Sequence, residues 1–194
     1  MKSILHKIFS LAVLLALSLG LSAQVNAEFT TNTTSGCSPL VIIFSDQSTG
    51  SPNNWRWDFG NGNGSIQQNP SAIYMNPGTY TVRLIASGAS GIDTVIKTQL
   101  ITVFRNPAAD LVASDTTGCI PANISFADIS TPGDAAINSW LWDFGDGTTS
   151  GQQNPSHNYT SPGTYTVTLL VRDANGCRNE ITRTDYMTIM PKPT

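Results

Sequence analysis

Two stretches decide the fold: Trp55-Arg56-Trp57-Asp58-Phe59-Gly60-Asn61-Gly62 and Trp140-Leu141-Trp142-Asp143-Phe144-Gly145-Asp146-Gly147. In each, the tryptophans are two residues apart, so an extended chain puts both on one face. The Asn-Gly and Asp-Gly pairs that follow favour positive φ and end a strand in a tight turn. All 4 tryptophans of the chain lie in these stretches. Each stretch therefore reads as the central core strand of one small β domain.

Outward from the tryptophans, the two halves match in order. Cys37-Ser38-Pro39 corresponds to Cys119-Ile120-Pro121, and Phe44-Ser45-Asp46 to Phe126-Ala127-Asp128. Gln68-Asn69-Pro70-Ser71 returns as Gln153-Asn154-Pro155-Ser156, Tyr74 as Tyr159, and Pro77–Val82 as Pro162–Val167. The offset is 82 residues before the tryptophan stretch and 85 after it, so copy 2 carries three extra residues around Pro132–Ser139. A fixed period with one insertion in a polar loop means two copies of one domain.

Inside each copy the signals are strands and turns. Leu40–Phe44 and Ala122–Phe126 are β-favouring runs, and Tyr80-Val82-Leu84 and Tyr165-Val167-Leu169 alternate with polar residues. Ile92–Val103 and Arg178–Ile189 supply closing strands, and no window sustains a helical period. Roughly seven short strands per copy, punctuated by Asn-Pro and Pro-Gly turns, predict an all-β fold of two tandem antiparallel sandwiches. The expected domains are 28–104 and 108–190, with 105–107 as a short linker that stacks them end to end, and 191–194 as a tail or the start of a further linker. Phe44, Trp57, Val82, Phe126, Trp142 and Val167 are the expected core.

Residues 1–27 read as a secretory signal. Lys2 and Lys7 precede an apolar run, Ile8–Leu19, and small-residue cleavage positions follow at Ala23 and Ala27. The run is too short for a membrane span, so none is expected once the signal is removed. Without Lys2 and Lys7 the chain keeps 8 basic residues against 13 acidic ones, a net charge of −5. No basic block is present, which argues against nucleic acid as a partner. A secreted or cell-surface location is expected.

The repeated Trp-Asp-Phe-Gly segments, Trp57–Gly60 and Trp142–Gly147, resemble the PKD domain, an immunoglobulin-like module of secreted and surface proteins. Asn-Pro-Ser, the following Tyr and Pro-Gly-Thr-Tyr-x-Val extend the resemblance over nearly all of the chain after the signal. Copy 1 departs at Asn61, where the family has Asp, and has Ala72 where copy 2 has His157. The resemblance implies a non-catalytic module for extracellular protein or surface-polysaccharide contact and spacing. The alternative it leaves open is a carbohydrate-binding accessory region of a larger secreted hydrolase.

Few residues could carry chemistry. His157 is the one histidine outside the signal, so a His-based metal cluster has no basis and a Ser-His-Asp triad has no oriented partner. Asp58 and Asp143 recur at equivalent positions, which suits a carboxylate accepting backbone N–H groups across a turn. No cofactor is expected; a weak calcium possibility rests on Asp143 and Asp146, because calcium takes hard oxygen donors. If any tryptophan faces a ligand, Trp55 and Trp140 at the strand entries are the candidates.

The chain has 3 cysteines, an odd number. Cys119 and Cys177 share a domain, but the second strand starts at one end of such a sandwich and the last hairpin turns at the other. That is over about 20 Å of strand, whereas a disulfide needs Cα atoms within about 7 Å. End-to-end stacking instead brings Cys37 to Cys177, so an interdomain bridge is expected, with Cys119 left free.

Overall fold

The computed structural model describes residues 23–193. The signal reading over residues 1–22 lies outside the described residues. Domain 1 comprises β1 (Phe29–Thr31), β2 (Ser35–Cys37), β3 (Leu40–Asp46), β4 (Asn54–Asp58), β5 (Gly64–Ser65), β6 (Ser71–Tyr74), β7 (Gly78–Gly88) and β8 (Gly91–Phe104). Domain 2 repeats them as β9 (Leu111–Ala113), β10 (Thr117–Cys119), β11 (Ala122–Asp128), β12 (Ile137–Asp143), β13 (Thr149–Ser150), β14 (Ser156–Tyr159), β15 (Gly163–Asp173) and β16 (Arg178–Met190). No helix occurs among the described residues.

Each domain packs a three-stranded sheet, β1-β3-β6 or β9-β11-β14, on a five-stranded one, β2-β8-β7-β4-β5 or β10-β16-β15-β12-β13. Pairing is antiparallel except at one edge. There β2 and β10 run parallel to the closing strands β8 and β16, with Cys37 opposite Phe104 and Cys119 opposite Met190. This pair, absent from the sequence reading, puts each N-terminal cysteine beside the point where the chain leaves its domain.

The cores follow the period-two pattern. Phe29, Ile42, Phe44, Trp57, Phe59, Tyr74, Val82, Leu84 and Ile101 form one cluster, and their counterparts around Phe126, Trp142 and Val167 form the other. Phe44 stacks on Phe59 at 5.0 Å, and Phe29 meets Trp57 edge-on at 5.1 Å. Burying such side chains stabilises each domain by about 1.5–3 kcal/mol apiece before chain entropy is charged against it.

Domain 1 begins before Glu28. Val25 and Ala27 are buried against Ala86, Asn26 bridges to Thr49, and the Ala27 N–H reaches Asp93 Oδ2 at 2.8 Å. Domain 2 starts in the same way, with the Ala108–Thr131 bridge and the Ala109 N–H on Asn179 Oδ1. Cleavage after Ala27 would remove the buried Val25 and Ala27 that precede β1. Cleavage after Ala23 keeps both.

Candidate functional site

Two features stand out as built rather than incidental: the aspartate-lined turns at one side of each tryptophan strand, and the junction between the domains.

The turn after each tryptophan strand is held by its own carboxylate. Asp58 Oδ1 accepts the Gly60 N–H at 3.0 Å, and Asp143 Oδ1 accepts that of Gly145 at 2.9 Å. Gly60 and Gly145 sit at φ +74° and +80°, where a Cβ would lie 2.3 Å from the carbonyl oxygens of Thr81 and Thr166. Only glycine fits there. Tyr74 and Tyr159, buried, donate to the Phe59 and Phe144 carbonyls, and burial pushes both phenols up. Asp58 also meets Arg83 at 3.4 Å in an exposed pair.

The next turn position differs between copies in a compensated way. Asn61 Oδ1 caps the Asn63 N–H at 3.0 Å while its Nδ2 donates to the Ile73 carbonyl at 3.0 Å. Asp146 Oδ1 caps the Thr148 N–H at 3.1 Å, and its Oδ2 faces His157 Nε2 at 2.7 Å. His157 lies flat on Phe144, ring centroids 4.2 Å apart. Burial would raise the Asp146 carboxyl, but hydrogen bonds from Thr148 and His157 hold it below the ordinary aspartate value. The Asp146–His157 and Asn61–Ala72 pairs are therefore one coupled exchange. Asp143 and Asp146 are both engaged with the protein, and among the described residues no three His, Cys, Asp or Glu side chains converge for a metal ion.

Trp55 and Trp140 are half-buried against their cores rather than standing free. Trp55 Nε1 donates to Asp46 Oδ2 at 2.8 Å and Trp140 Nε1 to Asp128 Oδ2 at 2.7 Å. Ser48 and Gln68, or Ser130 and Gln153, complete each carboxylate's set. Burial raises these carboxyls, and the donated hydrogen bonds outweigh it, so both titrate below the usual aspartate range. Sequence reasoning gives Asp46 and Asp128 no such role, although Phe-x-Asp recurs in both copies.

At the junction, Cys37 and Cys177 form a disulfide with Cα atoms 5.4 Å apart. The Asn106 side chain donates to the Ser38 carbonyl at 2.7 Å, and the Arg105 N–H to Asp134 Oδ2 at 2.7 Å. Asp173, buried, shapes the hairpin that presents Cys177: its Oδ1 accepts the N–H groups of Asn175 and Cys177 at 3.0 and 2.8 Å. A cleft of about 540 Å³ beside the bridge is lined by Ser38, Asn106, Arg172 and Arg178. Cys119 is exposed and unpaired.

A family model for the PKD domain matches residues 23–103 and again 105–189. The chain belongs to the PKD domain family. The microbial collagenase of Vibrio alginolyticus is 40% identical over 75 residues, 38% of this chain and 9% of that protein. Bacillus cereus collagenase ColA is 45% identical over 60 residues, 30% of this chain and 6% of the relative. The chain thus spans less than a tenth of either relative. Among solved structures, the PKD1 domain of Vibrio anguillarum Epp is 31% identical and covers 46% of this chain and 99% of its own length, with a TM-score of 0.41. In such relatives the PKD domain is a non-catalytic module. No described helix is long and apolar enough to cross a membrane.

Proposed function

We propose that this chain is a non-catalytic extracellular module that docks a protein on the outer face of domain 1, while domain 2 and the disulfide hold that face at a set distance and angle. The observation that carries this reading is an asymmetry between the copies. On the sheet of β3 and β6, Val41, Ile43, Ile73 and Met75 point outward and are 51%, 52%, 53% and 65% exposed. Val41 and Ile73 are direct cross-strand neighbours, so the side chains form one patch. The same positions in domain 2 are Asn123, Ser125, Asn158 and Thr160. One copy keeps an apolar face that the other has made polar, and an exposed apolar patch of this kind suits a protein contact.

Aliphatic side chains favour a protein over a polysaccharide, because they offer no flat π face for a sugar ring. The tryptophans that could stack on sugar spend their N–H groups inside the domain. The collagenases named above are relatives in which such domains form a small part, which makes a fibrous protein the first partner to try.

The test is a pulldown with fibrillar collagen and other extracellular proteins, run beside a glycan array. Val41→Asp and Ile73→Asp are expected to weaken protein binding roughly tenfold or more while leaving the melting temperature in place. Selective glycan binding that disappears in Trp55→Ala or Trp140→Ala would replace this reading with a carbohydrate-binding accessory region of a larger hydrolase.

A further inference from the structure

We propose that Cys119 is a socket for the cysteine-bearing hairpin of a further PKD domain, which it would clasp as Cys37 clasps Cys177. The inference is independent of what the apolar face of domain 1 contacts.

The first support is that the same residue, one repeat earlier, already holds such a partner. Cys37 and Cys119 occupy equivalent last positions of β2 and β10, each paired in parallel with the last residue of the closing strand. The Ser38 N–H donates to the Phe104 carbonyl at 3.0 Å, and the Ile120 N–H to that of Met190 at 3.0 Å. The socket's backbone pairing is therefore the same in both copies, occupied in one and open in the other.

The second support is the path of the chain. Past Phe104 the backbone runs Arg105-Asn106-Pro107 alongside Cys37 into the next domain, with Asn106 tying back to Ser38. Cys119 pairs with Met190 as Cys37 pairs with Phe104, and Pro191-Lys192-Pro193 follow Met190 as Arg105-Asn106-Pro107 follow Phe104. Pro107 at the equivalent of Pro193 is buried. In the first junction the equivalent cysteine, Cys37, is half-buried beside the linker, whereas Cys119 is exposed.

The third support is the shape of the partner. The plug is Asp173-Ala174-Asn175-Gly176-Cys177, in which the buried Asp173 fixes the Cys177 backbone. The hairpin of domain 1 lacks both groups. Its pairing of Gly88 with Gly91 matches Asp173 facing Cys177, so Gly91 stands where the cysteine would be. Domain 1 has a socket without a plug, and domain 2 has both. Such an arrangement propagates in one direction, each domain's hairpin seating on the domain before it. Closing the bond removes two protons and two electrons from the two thiols. A disulfide oxidant accepts them and leaves as two thiols, the same exchange that closes Cys37–Cys177.

A three-domain chain tests this, made by joining Met190 to Arg105 of an added second copy of residues 105–194. It is oxidised in a glutathione redox buffer and mapped by non-reducing peptide analysis. The expected bridges are Cys37–Cys177 and Cys119 with the added copy's Cys177, leaving the added copy's Cys119 free. A tethered hairpin sits at roughly millimolar effective concentration, so at micromolar protein the junction bridge should outnumber intermolecular products about a thousandfold. Formation of Cys37–Cys177 with Cys119 left free, or joined between chains, overturns the proposal. A second measurement uses two-domain chains alone, in case the added copy does not fold. The native chain, with its free Cys119, is oxidised with an equal amount of a Cys37→Ser/Cys119→Ser chain, whose single thiol is Cys177. Mixed Cys119–Cys177 dimers above the statistical share support the socket; Cys119–Cys119 dimers at or above that share overturn it.

Discussion

His157 Nε2 lies 2.7 Å from Asp146 Oδ2, and the ring is pinned flat against Phe144. In copy 1 the Asn61 amide donates to the Ile73 carbonyl instead, and Ala72 stands where copy 2 has His157. Two residues that look like unrelated departures from a repeat are therefore a single swap of hydrogen-bonding partner.

This coupling is testable by a double-mutant cycle. His157→Ala removes a hydrogen bond to a charged group and should cost about 1.5–3 kcal/mol in urea denaturation of domain 2. Asp146→Asn combined with His157→Ala rebuilds the copy 1 arrangement. The double variant should be more stable than the sum of the single losses by about 0.5–3 kcal/mol. Strict additivity would mean that the pair is not coupled.

Acid should unfold both domains through their carboxylates. Asp46, Asp128 and Asp146 all titrate below the ordinary value of 3.8 in the folded chain. A depressed carboxyl contributes stability that is complete above its unfolded pKa and is lost as pH falls through the lowered native one. Stability is thus expected to be flat from neutral pH down to about pH 5 and to drop below about pH 4. Asp128→Asn should flatten part of that drop for domain 2, and should cost about 1–3 kcal/mol at pH 7 by weakening the Trp140 and Gln153 contacts. Denaturant titrations across the acid-to-neutral range read both effects.

The glycines of the turn make a graded series. Gly145→Ala places a methyl 2.3 Å from the Thr166 carbonyl and keeps a positive φ. Gly147→Ala has a similar φ, +88°, with nothing within 4 Å of the new methyl. The first should cost about 3 kcal/mol or more and the second about 1 kcal/mol, because only one adds a clash to the backbone strain. Equal losses in thermal melts would contradict this account.

Opening the clasp should change orientation more than folding. Each domain has its own buried cluster, and the bridge joins residues 140 apart across the junction. Cys37→Ser should leave the circular dichroism of both sandwiches unchanged. Small-angle scattering should report a broader spread of domain orientations, because the short linker then acts alone. Unfolding of either domain on reduction would show that the bridge holds a fold rather than an angle.

Much of the fold was legible because its signals are local. Trp57 and Trp142 stand two residues after a second tryptophan, glycine follows their strands, and the same words recur at a fixed offset. The buried segment that leads into β1 was hidden by a competing signal. Val25, Ala27 and Phe29 alternate as a strand does, yet Val25-Asn26-Ala27 also has the small-residue spacing of a cleavage site. The match of Cys177 to Gly91 was hidden too: at the repeat's offset of 85 Cys177 falls on Ile92, and the one extra residue in the domain 2 hairpin moves its structural counterpart to Gly91. The apolar patch could not be seen at all. Leu40–Phe44 is apolar throughout, and nothing in the run says which of its two faces the second sheet leaves bare.

By itself the sequence determined the repeat, the class of each domain and the buried identity of Trp57 and Trp142, because period two and turn chemistry act within a few residues. It also limited the cysteines through strand length, since a domain too long for Cys119 to reach Cys177 leaves only a neighbour's cysteine within bonding distance. Only the tertiary structure decided that Trp55 and Trp140 turn their N–H groups onto Asp46 and Asp128, that Asp146 answers to His157, and that Val41 and Ile73 stay exposed while Asn123 and Asn158 replace them in the other domain. These contacts join residues from 9 to 32 positions apart, counting Val41 to Ile73 across its strands. Their partners are chosen by how the sheets pack, which no stretch of local sequence encodes.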